Sequence, residues 1–422
     1  MLRRALTVSP QRLTRLAAAT QPAPERVPPE EDMLDELGLP EPEPQPERWI
    51  PVRPGRALLQ RLGLQPAGWL SEEPDQSRMG SFTSAPKILN PDSADDALTF
   101  PEESMTPAEM ESYCRQQLSE LPPLLTREFT VIEQPADADS QFRIMQWNTL
   151  SQTLGVHNDN FTECPSAALD WETRRYRLIE EISHYAPDVL CLQEVDHFKF
   201  FQKALGTIGY SGVFFEKPDS PCIYIKGNNG PDGCALFFRN ERFELVRTET
   251  RVIEVWKVQS NQVVVLAILR DRRTGHEVCA VTTHLKARSG ALLSAIRSEQ
   301  GKDLLSFVSS HAGNRPIIVC GDFNAEPSEP VYATLTQDSD PELSSAYVQA
   351  TGAEADYTTW KIRGSGEVCQ TLDYVFLSSS RFSVESILPP PTEQQLGEAR
   401  APSFAYPSDH FSLVTDVSIL PS

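Results

Sequence analysis

From Phe142 onward the chain is a series of short apolar runs, each bounded by a polar residue. RIMQW runs into Asn148, DVLCLQ into Glu194, EVCAVTT into His284 and PIIVCG into Asp322, with Asn324 two residues on. Asp373 opens the run within TLDYVFL, and Asp409-His410 precedes FSLVTDV. Runs this short, apolar at successive positions and rich in β-branched residues, read as strands buried on both faces. GCALFF and VVVLAIL add two more. Between them, 168–185 (Leu169, Tyr176, Ile179, Ile182) and 291–310 (Leu293, Ile296, Leu304, Val308) carry helical spacing. Strands with two apolar faces need a covering layer on each. Eight or more of them, with helices between, predict a layered α/β domain with two sheets face to face and helices outside.

The rest of the chain has a different character. Met1–Thr20 holds Arg3, Arg4, Arg12 and Arg15 and no acid, interleaved with Leu and Ala. That is the composition of an amphipathic mitochondrial presequence, and it predicts a mitochondrial protein with a cytoplasmic pool. Residues 21–125 hold about half of the 35 prolines and much of the acid, including EPEPQPE and VPPEEDMLDE. Such sequence buries too little apolar surface to offset chain ordering, so it is expected to be largely disordered, with a short helix over 105–119. A folded domain is expected over 126–422.

The formal net charge is −21, and about 24 acidic against 9 basic side chains fall within 21–140. An acidic surface repels long polyanions, so tight duplex binding is disfavoured while a small anion on a local cationic cluster is not. No apolar run reaches the length of a membrane helix. The eight cysteines form no CxxC pair, and Cys191, Cys279 and Cys320 lie in apolar runs, which points to packed thiols rather than disulfides or zinc.

Taken singly, each strand-end residue has an ordinary explanation. Asn148 and Asp322 suit turns, Glu194 a solvated strand end, His284 a satisfied histidine, and Ser408-Asp409-His410 a cap. Lys286 and Arg288 read as solvated charge. Their order carries the weight: QWN, LQE, THLKAR, GDFN, LDY and SDH follow one another between Gln146 and His410. If those ends converge, the pocket holds four carboxylates, two histidines and two asparagines. That much acid calls for a hard cation, Mg²⁺ with Mn²⁺ as substitute.

This ordered set resembles the endonuclease/exonuclease/phosphatase superfamily over roughly 140–418. The resemblance implies a four-layer αββα sandwich, two packed mixed β-sheets with outer helices, that hydrolyses phosphoesters with Mg²⁺. It implies Glu194 as the metal ligand and Asn148 beside it. Asp322 would orient or deprotonate the attacking water, with Asn324 positioning it. His284 and His410 would hold phosphoryl oxygens, Asp373 would orient His410, and Asp409 would support the metal pocket.

FRIMQWNTLSQTLG, DVLCLQEVDHF, NNGPDGCALFF, YTTWKIR and PSFAYPSDH are similar, more narrowly, to the branch shared with Ccr4-type deadenylases. That likeness implies removal of the 2′-phosphate from NADP⁺ and NADPH, giving NAD⁺ and NADH, and a link to circadian metabolism. Lys217, Lys286, Arg288 and Arg363 would then line the phosphate pocket, with Trp360 either flanking the adenosine or packed in the core. Two alternatives stand beside this: a 3′→5′ poly(A) exoribonuclease, and an inactive scaffold binding RNA or a partner. The absence of an extended basic stretch argues against long RNA. A monomer is expected.

Overall fold

The computed structural model describes residues 101–420, apart from 102, 136 and 338–341, together with the backbone of a two-residue strand, Gln65–Pro66. The presequence and most of the acidic segment expected before 101 lie outside the described residues.

Two mixed sheets form the middle of the molecule. The first holds β2 (Thr130–Val131), β3 (Gln141–Asn148), β4 (Val189–Val195), β5 (Tyr210–Glu216), β6 (Gly233–Arg239), β15 (Phe382–Ile387) and β16 (Leu413–Ile419). Its order is β2-β15-β16-β3-β4-β6-β5, with β3 and β4 parallel. The second holds β1 (Gln65–Pro66), β7 (Phe243–Val255), β8 (Val258–Asp271), β9 (Glu277–His284), β10 (Ile317–Asp322), β11 (Leu343–Ser345) and β14 (Asp373–Ser378). Its order is β1-β8-β9-β10-β14-β11, β7 also pairs β8, and β9 and β10 are parallel. A separate hairpin joins β12 (Thr359–Arg363) to β13 (Gly366–Gln370).

The predicted double burial of the strands is the physical basis of the layering. One face of each sheet meets the other sheet: Ile144, Val189, Cys191 and Leu236 pack with Val265, Ala280, Ile318, Cys320 and Val375. The outer face of the first sheet is covered by helices Trp171–Tyr185 and Phe198–Thr207. The outer face of the second is covered by Ala291–Ala312 and Pro330–Thr336. Helices, sheet, sheet and helices make the expected four layers. All eight cysteines are free, and Cys191, Cys279 and Cys320 are wholly buried.

The domain boundary expected at 125/126 falls inside the packed unit. Helix Pro107–Gln117 starts on a capping box in which Thr106 and Glu109 exchange bonds, with Pro107 at its first position. Its Met110 and Cys114 are fully buried against the outer helices, because TPAEMESYC places them four apart on one face. No helix among the described residues is long and apolar enough to cross a membrane.

Candidate active site

Strand register assembles the site. Asp322, the last residue of β10, lies opposite His284 on one side and Asp373 on the other. One cross-strand row therefore carries an imidazole and two carboxylates. The approach of β9 to β10 is close just before it, since a Cβ at Gly321 would lie 2.5 Å from the Thr283 carbonyl oxygen. Glycine is the residue that fits there.

The facing sheet brings Asn148 and Glu194. Between Leu192 and Val195 the β4–β6 register shifts, and Glu194 takes a left-handed backbone with φ of 56°. A bulge with such a residue re-aims a side chain off the sheet and is held only where its surroundings require it. Here Asn148 Nδ2 donates to Glu194 Oε1 at 3.2 Å and to Asp322 Oδ2 at 2.9 Å, and the Ser151 amide donates to Glu194 Oε2 at 3.0 Å. The Asn148 amide is oriented by Leu150 N–H, which donates to its Oδ1 at 3.0 Å. Buried Arg174 fixes the backbone around it, donating to the carbonyls of Thr149, Leu150 and Pro407.

The histidines differ in charge. His410 Nδ1 meets Asp373 Oδ2 at 2.8 Å, and Thr358 Oγ1 donates to the same oxygen at 2.6 Å. Burial works against charge on His410, but Asp373, with Asp322 and Asp409, outweighs it and raises the ring to about 9. His284 goes the other way. Burial, then Lys217 and His410, hold it well below the usual imidazole range, so it is neutral. Its Nε2 lies 2.9 Å from Asn324 Nδ2, and Asn324 is a second left-handed residue, with φ of 51°. Asp322 is raised to about 6 by burial and Asp373, against the pull of His410 and Asn148.

Cations line the same space. Lys217 Nζ lies 2.6 Å from Asp232 Oδ2 and 3.5 Å from His284 Nδ1. Burial opposes its charge, yet Asp232 and Glu194 keep it firmly protonated. On β12 the strand alternation points Lys361 and Arg363 the same way: Lys361 Nζ reaches Asp409 Oδ2 at 2.5 Å, and Arg363 Nη2 reaches it at 3.1 Å. Asp409 is held well below the carboxylate range by these partners despite its burial.

All of Asn148, Glu194, His284, Asp322, Asn324, Asp373, Asp409 and His410 thus belong to one contact network, joined by Lys217 and Arg363. The regular alternation expected through His284, Lys286 and Arg288 is not found. β9 ends at His284, Leu285 turns into the core, and Arg288 is left-handed with φ of 79°. The cause is Arg297, whose Nη1 binds the carbonyls of both Lys286 and Arg288 and curls the loop around itself. Lys286 is half-buried, its charge disfavoured by burial, Arg288 and Lys217; Arg288 is exposed. Trp360 takes the face of β12 opposite Lys361, with Arg400 at 4.3 Å over its ring, and so packs rather than flanking a ligand.

Sequence reasoning missed Lys361, Asp232 and Asp159. Lys361 had a signal, its two-residue offset from Arg363. Asp232 lies within the quoted segment NNGPDGCALFF, whereas nothing in the sequence marks Asp159.

The donor set fits a hard divalent cation on the Glu194 side. Atoms of Asp322, Asp373 and His410 lie within 4.8 Å of one another. His410 is a poor ligand there, because Nδ1 is committed to Asp373 and Nε2 faces the Lys361 ammonium at 3.3 Å. Glu194 faces only neutral donors, the Asn148 side-chain amide and the Ser151 N–H, and offers its oxygens without such competition.

Residues 145–410 match the model of the Endonuclease/Exonuclease/phosphatase family. The chain is 48% identical to nocturnin of Drosophila melanogaster over 82% of its own length and 61% of that protein, so it spans under two thirds of this relative. It is 46% identical to Homo sapiens nocturnin over 75% of this chain and 74% of the human one. The solved human nocturnin catalytic domain with bound sulfate anion superposes with a TM-score of 0.59 at 40% identity, covering 71% of this chain and all of that one.

Proposed function

Because this chain belongs to the endonuclease/exonuclease/phosphatase family, on its nocturnin branch, we propose that it is a Mg²⁺-dependent phosphatase that removes the 2′-phosphate of NADP⁺ and NADPH, giving NAD⁺ and NADH. The observation that carries this reading is the pairing of two charge sets in one pocket. Carboxylates of Glu194, Asp322 and Asp373 share one contact network with three cations, Lys217, Lys361 and Arg363, each steadied by a carboxylate of its own. A phosphomonoester brings about two negative charges near neutral pH and three acceptor oxygens, which such a group suits. The relative solved with sulfate holds a tetrahedral dianion of the same kind.

Glu194, with Asn148 beside it, would hold the cation, Mg²⁺ or Mn²⁺ in its place. When bound, it neutralises phosphoryl charge and lowers the pKa of a bound water. The chain's own groups do the rest. Asp322, raised toward neutrality, accepts a proton from the attacking water, and Asn324 positions it. Protonated His410, steadied by Asp373, donates to a phosphoryl oxygen as charge moves onto it, while neutral His284, whose Nε2 accepts from Asn324 Nδ2 and whose Nδ1 faces Lys217 Nζ, orients those two donors. Asp409 keeps Lys361 and Arg363 aimed inward.

The full chain, assayed on NADPH, NADP⁺ and oligo(A) with Mg²⁺ and with EDTA, tests this. Phosphate and NADH should appear from NADPH with Mg²⁺ and vanish with EDTA, with Mn²⁺ restoring release. Shortening of oligo(A) with no phosphate from NADPH would establish the deadenylase instead. No turnover of either would leave a scaffold.

A further inference from the structure

Arg363 is not free to receive a substrate. Its Nη2 lies 2.7 Å from Asp159 Oδ1 as well as 3.1 Å from Asp409 Oδ2. Asp159 comes from outside the recognised motifs, just after helix Gln152–His157. It is held there by backbone rather than by chance side-chain contact. Thr162 N–H donates to the Ile362 carbonyl at 3.2 Å, Gly364 N–H donates to the Asn160 carbonyl at 3.0 Å, and Phe161 bridges Arg363 antiparallel. The Phe161 ring then lies 5.3 Å under the guanidinium.

Burial and the neighbouring Asp409 raise Asp159 to about 7, against the pull of Arg363. Lys361 and Arg363 face Asp409 and Asp159, two cations against two carboxylates. Asp409 is buried at the base of the group, with 3% of its side chain exposed, whereas Asp159 lies toward the mouth with 18% exposed. The outer carboxylate is therefore the displaceable one. Arg363 also keeps a spare donor, since its buried Nε has no acceptor among the described residues.

We propose that Asp159 tunes substrate affinity, as an internal carboxylate that occupies Arg363 until the substrate's phosphate displaces it. The inference rests on the phosphatase reading above. A phosphomonoester outbids one carboxylate on the guanidinium because it brings more charge and more acceptors. Whatever anion takes Arg363 must first displace this competitor, so Asp159 weakens binding without adding a contact to the ligand.

The test compares wild type and Asp159→Asn, both as the full chain with Mg²⁺. On NADPH the substitution should lower KM by about three- to tenfold, the change falling on KM rather than kcat. For the model diester bis(p-nitrophenyl) phosphate, kcat/KM should rise by no more than the same factor, because a singly charged ligand leans less on Arg363. Asp159→Glu should restore the wild-type KM, and Asp159→Ser should repeat the effect if the Asn variant folds poorly. A KM for NADPH within twofold of wild type, or raised, overturns the proposal, since a merely structural Asp159 would weaken binding when lost. Calorimetric titration with inorganic phosphate separates this from the phosphatase reading. If wild type releases no phosphate from NADPH, that reading fails, and tighter phosphate binding by Asp159→Asn still decides the role of Asp159.

Discussion

Asp322 sits where three demands meet. It lies between His284 and Asp373 in the strand row, takes a bond from Asn148, and ends a strand whose interior is wholly apolar. Its rigidity is inherited from that strand. Glu194 depends on a bulge instead, so Glu194→Ala should leave the fold intact while lowering hydrolysis by roughly 10³-fold or more, because several kcal/mol of transition-state stabilisation go with the metal. Activity within tenfold of wild type, at unchanged circular dichroism, would remove it from the mechanism. Asp373→Asn should lower kcat by about 10²-fold through loss of His410's orientation and charge. The revised path of the 285–290 loop separates two residues that the sequence treats alike. Lys286→Ala should lower kcat/KM by about 10–100-fold, as loss of a charge-assisted bond does, and exposed Arg288→Ala by less. Equal losses in a steady-state comparison would count against this geometry. The strand-end residues were legible because each interrupts an apolar run. The curl at Arg288 was not, since it is imposed by Arg297, remote from the motif and unremarkable in its own helix.

At the level of elements, the same logic separates what was read from what was missed. Every apolar run named in the sequence became a strand. β7 did not announce itself, because FELVRTETRVIEV is charged and only three of its residues are buried, as in strands with an open side. The hairpin β12–β13 carries two catalytic-pocket cations yet only one face that packs, so its alternation is polar on the informative side. Helix Pro107–Gln117 falls within the helix expected over 105–119, but its role in the core was not legible, because long-range packing decides it. Met110→Ala should therefore destabilise the protein by about 2–5 kcal/mol in denaturant unfolding. A loss near zero would mean that the helix merely rests on the domain. The segment after it is anchored by a buried pair, Arg127 Nη2 to Glu181 Oε1 at 2.9 Å, with Ser412 bound to both. Removing one charge strands the other, so Glu181→Ala should cost about 3–5 kcal/mol.

The sequence is acidic as a whole, and its residues 1–20 are basic. We propose that residues 1–20 direct mitochondrial import. A reporter carrying 1–30 should reach mitochondria and fail to when Arg3, Arg4, Arg12 and Arg15 become Glu; a diffuse signal from the intact fusion would end the idea. The charge distribution makes a separate demand on substrate binding. A formal net charge of −21 disfavours a long polyanion, whereas Lys217, Lys361 and Arg363 join the network around the site. Buried and half-buried charges are screened by salt far less than exposed ones. A strand of RNA, by contrast, releases a counterion for nearly every phosphate neutralised, with a slope of about −0.7 per contact on a log–log plot. The Michaelis constant for NADPH should consequently change by no more than a few-fold between about 50 and 200 mM salt, because few contacts are made and most are sheltered. A loss of roughly 10³-fold over that interval would instead require many exposed phosphate contacts, and would favour a polynucleotide as the true substrate.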